Sequence, residues 1–203
     1  MKTVSFTVLF FVIMTKCIIG SPSVKIVSGD ISLIKNEKII NIEFKFDNMK
    51  IDKFPTEQDY IKYYVNARNK KNPGSGEQWE QEWKINSREK CPNQFVDQIN
   101  KEVLNRGLTF SPKDLTSNYK MIVRLISLSK LKGTGGFTGR EQLTADIEVI
   151  IVDNKNPNNI IAKIMLTKIN GKGYGLPKCM EDAFGNAGQD LGEYIIKQLK
   201  KTT

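Results

Sequence analysis

The sequence predicts an α+β domain in which a mainly antiparallel sheet of about five strands packs against three to four helices. Residues 119–131 are largely apolar on both faces of an extended segment, and residues 143–151 and 160–166 alternate between apolar and polar positions. Neighbouring strands joined by short polar loops are typical of an antiparallel meander. Residues 56–68 and 177–201 instead carry apolar side chains at helical spacing. Together these segments indicate one layer of sheet and one layer of helices.

The first 20 residues have the three zones of a secretory signal peptide. Lys2 supplies the positive start, an apolar run extends from Val4 to Met14, and Gly20 offers a small residue at the cleavage point. The run is shorter than the roughly 20 apolar residues that a membrane span requires. We therefore expect residues 1–20 to be removed and the protein to be exported.

Cys17 raises the alternative of a lipid anchor in this leader. Lipoprotein leaders place small uncharged residues before the cysteine, whereas this chain has Lys16 there, so soluble export is the favoured interpretation. No asparagine lies in an Asn-x-Ser/Thr acceptor, which favours a bacterial envelope protein, either periplasmic or secreted and with outer-membrane association left open. No later stretch approaches membrane-spanning length, so we expect no transmembrane segment after cleavage.

Residues 21–203 are expected to form a single α+β domain, because their number suits one hydrophobic core. A weak strand pattern at residues 24–34 precedes a strictly alternating strand at residues 38–47. Thr56 then provides a candidate N-cap for the first helix. The stretch 69–76, which reads NKKNPGSG, predicts a flexible loop inside the domain.

Residues 77–106 predict a helix in two pieces. Pro92 interrupts the pattern because proline lacks the amide hydrogen that a helix interior uses, and Gly107 is well placed to end the second piece. Trp79 and Trp83 lie one helical turn apart. This spacing is compatible with a surface that stacks carbohydrate, but aromatic residues on an apolar stripe more often belong to the core.

Two basic residues in the second half are candidate binding residues. Arg124 is the charged residue in the middle of the largely apolar strand 119–131, where it would pair with a buried carboxylate, mark a binding surface, or reach an edge. Lys172 lies in the glycine-rich segment 171–175, ahead of the last helix. A helix N-terminus suits an anion, but no strand follows to complete a dinucleotide fold, so a plain connector is favoured.

The last helix is predicted to begin at Pro177 and contains three glycines that lower helix stability. Gly185, Gly188 and Gly192 therefore predict close packing of this helix on the sheet.

Cys91 and Cys179 are the two cysteines that remain after the expected cleavage. An even pair permits one disulfide in an oxidising compartment, and the alternative is two buried thiols. The sequence leaves both interpretations open, because it does not show whether the two residues are close.

The composition excludes several kinds of chemistry. The chain has no histidine, which removes the usual general base, the serine–histidine triads and most zinc sites. The net charge is +9, but the basic residues are scattered among acidic ones and form no arginine-rich block. We therefore expect no cofactor, no metal and no specific nucleic-acid partner; paired carboxylates leave open a glycosidase.

A run in the C-terminal half carries a family resemblance. A strand ends in Asp153, a polar turn follows, a second strand leads to Gly171-Lys172-Gly173, and the last helix contains Ala183-Phe184 and Asp190-Leu191-Gly192. This run, residues 119–200, resembles the bacterial envelope domains related to the curli-secretion CsgG family and the N-terminal domain of TolB. The resemblance implies a periplasmic or outer-membrane-associated protein that works through protein contacts and is not an enzyme. The sequence departs from the secretion members in lacking the long amphipathic segments of a membrane barrel, so pore activity is not expected of this chain.

The leading expectation is a non-enzymatic, exported protein of the bacterial envelope that binds another protein or a surface polymer. One alternative is a carboxylate-dependent hydrolase of polysaccharide or cell wall, and another is a soluble subunit of a secretion or envelope assembly. No catalytic residue is predicted, and the oligomeric state stays open. The candidate binding residues are Trp79, Trp83, Arg124 and Lys172.

Overall fold

The structure is a computed structural model that describes residues 22–114, 116–131 and 139–201. The expected signal peptide, residues 1–20, lies outside the described residues. In chain order the main elements are β1 (Ser23–Gly29), β2 (Ile39–Lys45), β3 (Lys50–Ile51), α1 (Glu57–Asn69), α2 (Ser75–Ile85), α3 (Cys91–Val103), β4 (Thr109–Ser111), β5 (Tyr119–Lys130), β6 (Glu141–Asp153), β7 (Ile160–Gly173) and α4 (Leu176–Lys201).

These strands form one mixed sheet of seven strands in the order β1-β7-β6-β5-β2-β4, and β3 also pairs with β5. β5, β6 and β7 form the predicted antiparallel meander. However, β2 runs parallel to both β4 and β5, and β3 runs parallel to β5. The prediction of a mainly antiparallel sheet of about five strands is therefore wrong.

The number of strands and the direction of β2 differ from the prediction for separate physical reasons. β3 has two residues and β4 has three, so neither is long enough to show the alternation that reveals a strand in sequence. The three helices between β2 and β5 form a crossover connection, which allows the chain to return to the sheet in the same direction. A short turn would have made the pair antiparallel.

The segment from α2 to α3 is one continuous helix, so the predicted break at Pro92 is absent. A π-helical turn at Asn86–Lys90 joins α2 to α3, and Pro92 lies in the first turn of α3. The wider turn accommodates a residue that cannot donate a backbone hydrogen bond. With α2 and α3 counted as one helix, the described residues contain three long helices.

The first helix begins as the sequence predicts. The side-chain oxygen of Thr56 accepts a hydrogen bond of 3.1 Å from the amide of Asp59, and its hydroxyl donates to the Asp59 carboxylate at 2.7 Å. After α1 the loop is bridged by Asn69, which donates to Glu77 at 2.8 Å and accepts from the amide of Gly76. The flexibility of this loop stays a prediction.

The core lies between one face of the sheet and the helices. α3 packs on α4, and α4 packs on β6 and β7. Met121, Val123 and Leu125 of β5 are buried on this face. The alternate β5 residues Ile122 and Arg124 point to the opposite face and are only partly buried, and in the described residues no helix covers that face.

The glycines of α4 pack against α3 and not against the sheet as expected. A Cβ at Gly188 would overlap the carbonyl oxygen of Phe95 in α3 and lie 3.1 Å from its Cα. The close approach of the sheet to α4 is instead provided by Gly171 in β7, whose Cβ would overlap the carbonyl oxygen of Cys179 and lie 2.8 Å from Cβ of Ala183. Glycine is needed at both positions because backbone lies where a side chain would begin.

Candidate functional site

Both tryptophans lie in the interior. Trp83 is fully buried, and its indole Nε1 donates a hydrogen bond of 2.7 Å to the Glu57 carboxylate. The other oxygen of that carboxylate accepts from Arg88 at 2.5 Å. Trp83 therefore links the core to a charged pair and does not offer a ring face to a ligand.

Trp79 belongs to the same aromatic cluster but reaches the wall of a cavity. It is 7% exposed, and its ring centroid lies 5.4 Å from that of Tyr64 and 5.8 Å from that of Tyr60. The cavity has a volume of about 230 Å³, and Trp79, Tyr60 and Tyr64 all line it. The guanidinium of Arg68 stacks over the Trp79 ring at 5.5 Å and also lines this cavity.

Arg124 lies on the open face of the sheet and pairs with a partly buried carboxylate, and its role in binding stays a prediction. It donates to Glu148 on the neighbouring strand β6 at 3.2 Å, and Lys163 on β7 reaches the other oxygen of Glu148 at 3.1 Å. The Glu148 side chain is only 15% exposed. Nε of Arg124 is buried and has no hydrogen-bond partner among the described residues.

Lys172 lies within the last strand and not in a loop before the last helix, since β7 extends to Gly173. Its side chain is exposed, and its amide donates to the Asp182 carboxylate of α4 at 2.9 Å. This bond ties the end of β7 to α4. The four candidate binding residues therefore do not form one site: Trp79 and Trp83 share an aromatic cluster, Arg124 and Lys172 lie elsewhere, and of the four only Trp79 lines the cavity described above.

Both cysteines are free thiols in the structure and both are buried. Cys91 Sγ donates to the Asn86 side chain at 3.5 Å, whereas Cys179 Sγ donates to the backbone carbonyl of Glu141 at 3.3 Å. Burial is the main cause that raises the pKa of both thiols above the ordinary value, so neither is activated as a nucleophile.

We expect Cys91 and Cys179 to resist alkylation in the folded protein and to react once it is unfolded without a reductant. The physical reason is that the thiolate is the reactive form and burial disfavours it. Iodoacetamide labelling in buffer and in urea, followed by peptide mass spectrometry, measures both states. A peptide pair that stays linked in urea and separates only with a reductant would instead show a disulfide.

A groove of about 1010 Å³ runs beside the second half of β2. Its walls are β2 with the turn that follows, the start of α1, the π-helical turn, the start of α3, and Pro112 directly after β4. We call it the β2-edge groove. Its lining side chains include Glu43, Phe44, Lys45, Glu57, Arg88 and Val96.

The backbone of β2 is unpaired along this groove. β4 pairs with β2 only at Ile39–Asn41, and no other strand of the described residues takes its place beyond that point. The Thr109 amide donates to the Lys38 carbonyl at 2.9 Å, so the carbonyl of Lys38 faces β4. The backbone groups of neighbouring residues in a strand point to opposite edges, so those of every second residue point to the same edge. The amide and carbonyl of Phe44 therefore point to the same edge as the carbonyl of Lys38, which is the edge that faces the groove.

The groove has an apolar inner side and a charged end. Phe44 and Phe46 pack on the Phe184 ring of α4, with centroid distances of 6.4 and 5.9 Å. The Arg88 guanidinium lies 4.4 Å from the centre of the Phe46 ring while it holds Glu57. This fixed ion pair closes the end of the groove that lies against α1.

Sequence reasoning missed this groove entirely. The strand 38–47 was predicted, but the groove depends on where its neighbour β4 ends, and β4 was too short to predict. Pro112 is the local signal that could have found it, because a proline cannot continue a ladder of backbone hydrogen bonds.

Neither site has the features of a metal centre. In the part of the chain that the structure describes, no three cysteine, aspartate or glutamate side chains gather as a ligand set. Within the same residues, no helix combines the length and apolarity that a bilayer crossing requires. The hydrolase interpretation stays a prediction; Asp52 and Glu141 both line the Trp79 cavity, and Glu141 is held by Lys130 at 2.5 Å.

No family model matches the chain, and a search of the curated proteins finds no match. Solved structures that align with it include the PelC dodecamer from Paraburkholderia phytofirmans and a point variant of that dodecamer. In both cases the identity is 10%, and the alignment covers 88% of this chain and 97% of the PelC chain. The TM-scores are 0.40 and 0.39. Similarity at this level carries no argument about activity, partner or assembly, and the CsgG and TolB resemblance stays a prediction.

Proposed function

We propose that this chain is a non-enzymatic, exported protein of the bacterial envelope that binds an extended segment of a partner protein along β2. The observation that carries this proposal is the unpaired edge of β2 beside an open groove. Backbone amides and carbonyls on a sheet edge form hydrogen bonds with an added strand, and pockets beside the edge select its side chains. Export is inferred from the signal-like leader.

The other two edges of the sheet are less suited to an added strand. β1 is the opposite edge strand and has an irregular register between Ile26 and Ser28. β4 has three residues and ends before Pro112. Bulges, short strands and prolines are the devices that protect sheet edges from pairing. The β2 edge from Ile42 to Lys45 has neither a bulge nor a proline and is longer than β4, and its charged residues Glu43 and Lys45 form an ion pair with each other, which favours it as the pairing edge.

The groove also predicts the chemistry of the segment that it binds. Side chains of the added strand would alternate between two environments. On the helix side they would meet Phe44 and Val96, and on the open side they would lie beside Glu43 and Lys45. The partner segment is therefore an extended peptide with apolar residues at alternate positions and polar or charged residues between them.

We expect a phage-displayed library of random short peptides, selected against the purified chain, to yield sequences with this alternation. Binding of a selected peptide should slow hydrogen exchange of the Phe44 amide, because that amide gains a hydrogen bond. Val96→Thr should weaken the peptide about five- to tenfold, since it places a hydroxyl in the apolar wall. Val27→Thr on β1 is the matched control and should leave the affinity unchanged.

Three outcomes would contradict the proposal. One is a set of selected peptides without alternation, and another is a bound peptide that leaves the exchange of the Phe44 amide unchanged. The third is a concentration-dependent dimer, seen by sedimentation, in which the Phe44 amide is protected without any peptide. That result would identify a second copy of this chain as the occupant. Thermal unfolding of each variant confirms that the fold is retained.

A further inference from the structure

The Trp79 cavity is a second site, separate from the β2-edge groove. Six parts of the chain line it: β3 with its turn, α1, α2, the end of β5, the start of β6 and the start of α4. Its aromatic wall consists of Phe54, Tyr60, Tyr64 and Trp79. At about 230 Å³ it is smaller than the roughly 300–1,000 Å³ of sites for drug-sized ligands, so it suits a single ring.

The polar groups of the cavity are balanced in charge. Arg68 and Lys130 supply donors, and Asp52 and Glu141 supply acceptors. Lys130 is paired with Glu141 at 2.5 Å, whereas Arg68 forms no ion pair with any described residue and is held over Trp79. The site therefore offers no excess of either charge, and a charged ligand would gain no net electrostatic attraction.

The hydroxyl of Tyr60 adds a neutral donor to this set. Burial is the main cause that raises the pKa of Tyr60 above its ordinary value, and the nearby Tyr64 and Glu141 act in the same direction. The hydroxyl of this neutral phenol can both donate and accept hydrogen bonds.

We propose that the Trp79 cavity binds one neutral sugar ring. A pyranose has an apolar face of C–H groups that packs on an aromatic ring, and hydroxyls around its rim that each donate and accept hydrogen bonds. The cavity-facing parts of Phe54, Tyr60, Tyr64 and Trp79 provide the apolar wall, and Arg68 with Asp52 provides one donor and one acceptor for the hydroxyls. This proposal does not depend on the β2-edge groove.

The test is a titration of the purified chain with glucose, galactose and N-acetylglucosamine, followed by tryptophan fluorescence. Trp79 and Trp83 are the only tryptophans of the chain, so the emission reports on this cluster. We expect a saturable change with at least one sugar and a Kd of roughly 1–10 mM, as suits a single small ring. Arg68→Gln and Asp52→Asn should each weaken binding about tenfold.

The controls separate this site from a general effect. Asp52 has a positive φ of 52°, a conformation that asparagine tolerates, so Asp52→Asn retains the turn. Arg106→Gln changes an exposed arginine outside the cavity and should bind as the wild type does. No saturable change with any of the three sugars overturns the proposal. Equal affinity of Arg68→Gln and the wild type, or tenfold tighter binding of glucuronate than of glucose, also overturns it.

Discussion

Gly188→Ala should lower the free energy of unfolding by about 3 kcal/mol or more, or prevent folding altogether. The Cβ of an alanine at this position would overlap the carbonyl oxygen of Phe95 in α3. That oxygen belongs to the backbone of a packed helix and does not move alone, so α3 and α4 would have to separate. The gain of about 1 kcal/mol that alanine brings inside a helix is too small to offset this. Urea unfolding followed by circular dichroism measures the difference.

Gly185→Ala on the same helix is the matched control. Its Cβ would lie 3.0 Å from Cγ of Gln94, a flexible side chain that rotates away at little cost. We therefore expect a change within about 1 kcal/mol, with helix propensity favouring the alanine. Equal destabilisation by the two substitutions would mean that the α3–α4 contact is not the cause. Unchanged stability of Gly188→Ala would contradict the close helix packing itself.

These glycines also show where sequence reasoning stopped. The cost of three glycines in one helix predicted close packing, and close packing is present. The sequence did not show which surface the helix approaches, because a glycine indicates close packing without identifying the packing partner. The predicted contact was with the sheet, whereas Gly188 contacts Phe95 of α3.

The meander was predictable because β5, β6 and β7 are long and their apolar pattern is continuous. The parallel half of the sheet was not predictable on the same grounds. β3 and β4 are too short to carry a pattern, and the direction of β2 relative to β5 depends on how the three intervening helices pack. The strands that are long enough to carry an apolar pattern were therefore predicted from the sequence, and the strands that are too short to carry one were not.

The Trp79 cavity was only partly visible in the sequence for a related reason. The sequence predicted an apolar helical stripe over residues 56–68, and for Trp79 and Trp83 it favoured the core over a carbohydrate-stacking surface. Their convergence with Lys130 and Glu141, which lie far along the chain, is a tertiary contact that no local spacing encodes. A local pattern indicates that a face is buried, but not what lies against it.

Trp83→Ala should lower the free energy of unfolding by about 3–5 kcal/mol, the usual cost of emptying a fully buried aromatic site. Trp83 has no exposed surface, and its ring lies 5.0 Å from that of Tyr60 and 6.0 Å from that of Trp79. The cavity left behind would open beside the Trp79 cavity. Ile85→Ala, at a 48% exposed position of α2, should change stability by less than about 0.5 kcal/mol.

Trp83→Phe separates packing from hydrogen bonding at this position. Phenylalanine retains an aromatic ring but removes the indole donor, so one oxygen of Glu57 loses its buried partner while Arg88 still holds the other. We expect a loss of about 1–3 kcal/mol, clearly less than for Trp83→Ala. In a double-mutant cycle with Glu57→Gln, a coupling energy of at least 0.5 kcal/mol would locate the loss in this hydrogen bond.

Because Glu57 and Arg88 also close one end of the β2-edge groove, the same cycle run on peptide affinity would test whether the aromatic core positions that end. Additive effects on both stability and affinity would contradict the link between core and groove.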